Sequence, residues 1–478
     1  MVIQEKKLLL GGTGERMKVK VVFGPPGTGK THRLMDILEE ELKEYEPEDI
    51  AYVSFTREGA YQGRDRAVEA YGMTTNRFPF FRTLHSMAFR ALELNRRDVL
   101  GKKDYREFSE KMGMYFTGYY TEDMKHDDDL YLFFLDLHRN NPKTAAQYIS
   151  LLEVDKLNFV KNNYKRYKEA RGKIDYTDMI LQFVAKNKPV PVKVAFIDEA
   201  QDLTTLQWNM VWTAFRDCDK VYIAGDDDQA IYQWSGADVE YFLSINAEIE
   251  ILRHSWRVPN NLLYLPRSIS SLISKRVEKN YDGIESKGSL EYVNTYEEVP
   301  IGQNGTWLVL SRNNVFLREI EEHIRNQGLI YYRKGKLSID KAKVTVINLF
   351  EKLRKSRMIT ESDDYKIKHH MKLIMNLDLP WYDNVNWPID EVAYYRDVIS
   401  HKTHLNECNI KIGTIHSAKG DEADNVFILS DITRSVKANL DLNPDSEHRC
   451  FYVGVTRAKK NLYIMTQQTK YAYTALGV

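Results

Sequence analysis

The stretch VVFGPPGTGKTHRLMDIL, residues 21–38, constrains this chain more than any other. It sets Gly24-x-x-x-x-Gly29-Lys30-Thr31 directly after an apolar run that reads as a buried strand and directly before a helical pattern. Glycines let the backbone curl so that its N–H groups point at a phosphate, and the helix N-terminus adds its dipole. Gly24, Pro25, Pro26, Gly27, Thr28 and Gly29 form the cradle, Lys30 is placed to reach the β- and γ-phosphates, and Thr31 to ligate magnesium. GGTG at 11–14 also holds Gly-x-Gly, but no β run precedes it, and it reads as a flexible turn.

A strand–loop–helix unit of this kind belongs in an α/β fold. Further short apolar runs read as buried parallel strands: AYVSF (51–55), VKVAFI (192–197), KVYIA (220–224), WLVL (307–310), NVFIL (425–429) and NLYIM (461–465). Helical patterns separate many of them, which argues for parallel sheets. The strands fall into two groups, each split by a charged, mostly helical stretch. At 478 residues the chain is long enough for several domains.

VAFIDEAQD puts Asp198 and Glu199 at the end of an apolar strand. A carboxylate there can hold magnesium beside the phosphate loop. The second can orient or deprotonate an attacking water. A bound nucleotide with Mg2+ is therefore expected.

Composition excludes more than it assigns. With 68 basic and 68 acidic side chains, formal net charge is zero, so a nucleic-acid partner requires local clustering of basic residues. The basic run KNNYKRYKEARGK (161–173), with two tyrosines, is a candidate groove lining; a solvated helix face is the competing reading. Asp127, Asp128 and Asp129 read as a solvated turn. Three scattered cysteines suggest neither a disulfide framework nor a disulfide-linked partner, and they fit a reducing cytoplasm. No apolar run is long enough to span a bilayer, so no membrane partner is expected.

Taken in order, GPPGTGKT, DEAQD, GDDDQAIYQWSGA, TIHSAKGDEADNV and YVGVTRAKKNLY resemble the motifs of superfamily 1 (1A) DNA helicases of the UvrD/Rep/PcrA type. FTREGA, TLHSMA, IDYTDMI and HSWRVP fall in the expected intervals, so the resemblance covers almost the whole chain. It implies two RecA-like P-loop NTPase cores with parallel sheets, each interrupted by a mostly helical insertion. The implied boundaries are 1–90 and 175–255 for the first core and 91–174 for its insertion. For the second core they are 256–340 and 405–478, with a reduced insertion at 341–404. A compact chain with no appended nuclease domain would suit a bacterial cytoplasm, or a host cytoplasm if a phage encoded it.

The resemblance also implies that the nucleotide is ATP, and it implies roles. Lys30, Glu199, Gln229, Arg257 and Arg457 would be catalytic: Gln229 senses the γ-phosphate, and the second core supplies Arg257 and Arg457 as arginine fingers. Glu422 would bind the ribose. His32 and Trp256 stand where the family has arginine and tyrosine around the adenine, and both can still stack. Thr31 and Asp198 would hold the metal. Phe55, Thr56, Thr83, His85, Tyr232, Trp234, His416 and Ser417 would contact single-stranded DNA, the two aromatics by stacking. Burial in the first core competes for one of them. Asp226 would support the ATP site while Asp227 and Asp228 shape a turn. Ser235 stands where arginine is usual. The implied activity is an ATP-dependent 3′–5′ single-stranded DNA translocase and helicase in replication, repair or recombination. Its partners would be single-stranded DNA, DNA junctions and replication or repair proteins. The alternatives are a protein-displacing translocase without strong unwinding, a non-catalytic DNA-binding subunit of a larger complex, and, least compatible with a second core, a P-loop kinase.

Overall fold

A computed structural model describes residues 17–54, 57–120, 127–372, 374–400 and 408–478. The chain divides into two compact units. The first runs to Arg257 and takes back Ser270–Ile284 and Asn443–Arg449; the second comprises Val258–Ile269, Glu285–Leu442 and Cys450–Val478.

The first unit is built on a six-stranded sheet. Its strands are β1 (Lys18–Phe23), β2 (Ile50–Ser54), β3 (Phe80–Arg82), β4 (Val194–Asp198), β5 (Lys220–Gly225) and β6 (Glu248–Ile251). They lie in the order β3-β2-β4-β5-β1-β6, and every pairing is parallel. β2 and β4 are buried along their whole length, as strands covered on both faces must be. Two apolar clusters flank the sheet, one around Trp208 and Phe215, the other around Tyr52 and Phe196. Two strands follow, β7 (His254–Pro259) and β8 (Asp282–Ile284), which form a small sheet of their own.

Between β3 and β4 the helices Lys102–Met112, Asp129–Asn140 and Val154–Arg171 enclose a separate core of Phe108, Phe116, Phe133, Phe134, Tyr164 and Tyr167. Both tyrosines of the basic run are therefore buried here, which corrects their reading as groove-lining aromatics. Lys168 of the same run is also committed. It joins Arg139 on Asp175 and Asp178, with Lys168 to Asp175 at 2.8 Å and Arg139 to Asp175 at 2.9 Å. Of Asp127–Asp129, only Asp127 is an exposed turn residue as expected; the other two are committed. Asp129 is buried and accepts from the Thr117 backbone N–H and hydroxyl, while Asp128 accepts from Tyr115 N and Lys156.

The second unit carries β9 (Ser289–Val293), β10 (Trp307–Ser311), β11 (Tyr331–Arg333), β12 (Lys336–Leu337), β13 (Ile410–Thr414), β14 (Ala423–Leu429) and β15 (Ala458–Met465). Their order is β12-β11-β13-β10-β14-β15-β9, parallel except for the β11–β12 hairpin. The helices Lys341–Ser356, Glu361–Lys368, Trp381–Asn384 and Ile389–Ser400 stand between β12 and β13. Among the described residues they form no core of their own: Ile347, Phe350, Trp381 and Val398 share one apolar cluster with Val309 and Ile412 of the sheet. Two α/β units with parallel sheets match the expected fold class. The strands that periodicity did not single out, β3, β6 to β9 and β11 to β13, are mostly short or edge strands.

Burial alone would raise the Asp175 carboxyl, but Arg139 and Lys168 override it and hold it down at about 2. A depressed folded-state value gives stability that is present above pH 4 and is lost as pH falls toward 2; for this group it amounts to about 2 kcal/mol. Urea denaturation of wild type and Asp175→Asn across pH 5 to 2 is expected to show a shallower pH dependence in the variant by that amount. Asp175→Asn is also expected to be the less stable protein at pH 7, by about 3 kcal/mol.

Candidate active site

β4, β5 and β1 are neighbours in a parallel sheet, so their carboxyl ends emerge side by side. The phosphate loop follows β1, Asp198 and Glu199 close β4, and Asp226 follows β5. Gly24 N donates to Gly225 O at 3.1 Å, which ties the first and third of these turns together.

The loop is preformed. Gly27 and Gly29 have φ of +74° and +80°, left-handed values that favour glycine. Lys30 Nζ donates to Gly24 O at 2.8 Å, and Thr28 Oγ1 to Pro25 O at 2.8 Å. Thr31 Oγ1 donates to Asp198 Oδ2 at 2.9 Å, and Tyr52 OH donates to the same oxygen at 2.7 Å. Burial, with the charge of Glu199 beside it, pushes the Asp198 carboxyl above its ordinary value, against the pull of those two hydroxyls. A hydroxyl and a carboxylate in contact are hard oxygen donors of the kind magnesium takes.

Glu199 sits at φ +54°, rare for a residue with a Cβ. Its N–H bonds Asp198 Oδ1 at 2.9 Å, and its carboxylate accepts from Gln201 Nε2 at 2.5 Å. The chain of contacts continues: Asp226 N donates to Gln201 Oε1 at 3.0 Å, and Gln229 Nε2 to Asp226 Oδ2 at 2.7 Å. Glu199 and Gln229, 30 positions apart in sequence, thus belong to one hydrogen-bonded string.

β7 lies against the phosphate loop. Trp256 N donates to Gly27 O at 2.9 Å, and Ser255 Oγ to Pro26 O at 2.7 Å. A Cβ on Gly27 would stand 2.4 Å from Arg257 Cβ. Arg257 therefore belongs to the first unit by its contacts, not to the second as expected. Trp256 is 73% exposed and His32 is exposed at the start of the helix Lys30–Glu41, so both offer an open ring.

Among the DNA candidates, Phe55 and Thr56 lie outside the described residues. Thr83 caps the helix Leu84–Ala91, its hydroxyl accepting from Ser86 N at 3.2 Å. His85 packs edge-on to Tyr176, and burial lowers its imidazole to about 4. Trp234 packs on Phe133 of the insertion core at 6.0 Å between ring centroids. Tyr232 is half-buried beside it in sequence. Ser235, in place of the usual arginine, donates to Tyr232 O at 2.9 Å and closes that turn.

In the second unit, His416 and Ser417 follow the carboxyl end of β13. Ser417 Oγ donates to Thr414 O at 2.7 Å, and Cys450 Sγ lies 3.8 Å from His416 Nδ1. Glu422 and Arg457 are at the opposite edge, just before β14 and β15. Glu422 is exposed and paired with Lys459 at 2.7 Å. Arg457 is buried, its guanidinium donating to Val453 O and Asp421 O.

The UvrD/REP helicase N-terminal domain matches residues 15–250, and the UvrD-like helicase C-terminal domain matches residues 409–465. The chain belongs to the UvrD/Rep helicase family. The ATP-dependent DNA helicase Rep of Buchnera aphidicola subsp. Acyrthosiphon pisum is 23% identical over 65% of this chain and 54% of its own. Rep of Buchnera aphidicola subsp. Schizaphis graminum is 20% identical over 96% and 93%. DNA helicase II of Salmonella typhimurium is 26% identical over 65% and 48%. The match thus spans about half the length of the first and third of these relatives. A solved arterivirus helicase, nonstructural protein 10, overlays with a TM-score of only 0.37 at 12% identity, covering 94% of this chain and 59% of that one.

In this UvrD/Rep chain the cations that meet Asp226–Asp228 carry no sequence signal of their own. Asp226, Asp227 and Asp228 are all buried, and the latter two do more than shape a turn. Arg276 grips Asp228 through two hydrogen bonds at 2.9 and 2.7 Å, Lys279 reaches all three aspartates, and Arg449 Nε donates to Asp227 O at 2.8 Å. No local spacing announces cations so far down the chain; the only signal was that three adjacent carboxylates must be neutralised if buried.

The tight fit of Gly27 gives a direct test. Gly27→Ala is expected to weaken binding of a fluorescent ADP analogue by about tenfold or more, since a Cβ there is strained and collides with β7. Circular dichroism should show the fold retained.

Proposed function

We propose that this protein is an ATP-hydrolysing translocase on single-stranded DNA that unwinds duplex DNA, moving 3′ to 5′. The Thr31–Asp198 contact carries the reading, because it joins the phosphate loop to the acid of β4 within reach of Glu199 and Gln229. The donors fit a magnesium nucleotide: Thr31 and Asp198 would hold the ion, and the Gly24–Thr31 loop with Lys30 would hold the phosphates. Bound there, the ion neutralises phosphate charge.

The chain's own groups supply the rest. Lys30, now on Gly24 O, would turn to a phosphate oxygen. Glu199 would orient water and accept its proton. Gln229 would position that water, and the Arg257 guanidinium would stabilise the charge that develops on the transferring group. Arg457, buried in the second unit, is assigned the second guanidinium on resemblance, and His32, Trp256 and Glu422 the base and ribose. DNA would run over Thr83, His85, Tyr232, Trp234, His416 and Ser417, with Trp234 made rigid by Phe133. Residues 91–174 and 341–404 would be the insertions of the first and second cores.

A second reading is a translocase that strips proteins from DNA without strong unwinding. The observation that favours it is the second insertion, whose described apolar residues share the core of its sheet.

Lys30→Ala is expected to lose ATP hydrolysis by about 100-fold or more while binding single-stranded DNA within a few-fold of wild type. A wild-type rate in that variant would overturn the assignment. Hydrolysis should rise strongly on adding single-stranded DNA. Strand displacement on 3′-tailed but not 5′-tailed duplexes would support the polarity, and displacement of a bound protein without strand separation would favour the second reading.

A further inference from the structure

We propose that Lys279 is a positioning residue for ATP hydrolysis, acting through Asp226 to hold Gln229 and Glu199 in place. The proposal rests on the ATP reading above and adds a residue that none of the motifs contains.

Lys279 is fully buried, with its side chain 0% exposed. Its Nζ lies 2.5 Å from Asp227, 3.0 Å from Asp228 and 3.3 Å from Asp226, and it donates to Val277 O at 3.2 Å. All three carboxylates are 0% exposed. Such a group of like charges cannot share a dry interior without a cation among them. Arg276 accounts for Asp228, and Arg449 contacts only the backbone of Asp227, so Lys279 is the cation facing Asp226 among the described residues.

Asp226 is the hub. One of its oxygens accepts Gln229 Nε2, which fixes the amide's orientation. Its N–H bonds Gln201, which in turn holds the Glu199 carboxylate. Lys279 therefore stands one contact from the group that orients Gln229 and three from the proposed water-activating acid. It comes from Ser270–Ile284, a segment that rejoins the first unit well after the sheet is complete. Without the ammonium, the Asp226 carboxylate loses the cation that helps hold it in the orientation that accepts the Gln229 amide. Nucleotide binding rests on the loop after β1; among the described residues Lys279 bonds Asp226, Asp227, Asp228 and Val277 O, and its ammonium stands 5.9 Å from the ring centre of Phe23 at the end of β1. The two halves of the site should therefore respond differently.

The test uses the full chain. Lys279→Met alone leaves a net negative interior that destabilises the fold, so it is paired with Lys279→Met/Asp227→Asn, which removes one cation and one anion together. The double variant is expected to melt within about 5 °C of wild type. Its DNA-stimulated kcat for ATP should fall about tenfold or more, with KM for ATP within about twofold. Recovery of kcat along with stability would overturn the proposal and leave the network a purely structural one. An equal loss in KM would also overturn it. Lys30→Ala is run beside these variants: if it hydrolyses ATP like wild type, the ATP reading itself has failed, and that outcome is distinct from a silent Lys279.

Discussion

Three adjacent carboxylates inside a protein are tolerable only if cations meet them there. In this chain that requirement shapes the first unit. Asp226, Asp227 and Asp228 leave β5 into a dry interior, and Arg276, Lys279 and Arg449 are drawn to them from segments that lie 50 residues and more than 200 residues downstream. The burial makes the turn after β5 rigid, and a rigid turn keeps Gln229 aimed relative to Glu199. The same network explains why Ser270–Ile284 and Asn443–Arg449 belong with a sheet whose last strand ends at Ile251.

Parallel pairing does the remaining work of assembly. Because β4, β5 and β1 run the same way, three turns separated by up to 200 residues of sequence open on one edge, and a hydroxyl from one meets a carboxylate from another. In the second unit the same rule separates rather than gathers: His416 leaves the carboxyl end of β13, whereas Glu422 and Arg457 precede β14 and β15. Residues six positions apart in sequence thus end on opposite edges of the sheet.

The two insertions differ in a way that composition hid. The first has its own aromatic core, and its Arg139 and Lys168 bind it to Asp175 and Asp178 at the start of the helix Tyr176–Lys186, whose Met179, Ile180 and Phe183 pack in the core of the sheet. The second contributes Ile347, Phe350, Trp381 and Val398 to the core of the sheet it interrupts. Shared packing of that kind resists independent movement of the helices.

Local chemistry made much of this protein legible in advance. The phosphate loop, the acids after β4 and the long central strands each depend on neighbours in sequence: glycine spacing, a carboxylate after an apolar run, a continuous apolar stretch. These determined the α/β class, the two cores and the residues from Gly24 to Thr31 with Asp198. What depended on distant partners was invisible. Whether the run 161–173 lined a groove or was a solvated helix face stayed open in the sequence; the helix Val154–Arg171 turns its Tyr164 and Tyr167 inward. Arg257 looked like part of the second core until β7 laid it on Gly27. Lys279 belongs to none of the motifs. Only the tertiary structure could decide that it is buried against three aspartates, because neutralising a buried charge depends on proximity in space and not in sequence.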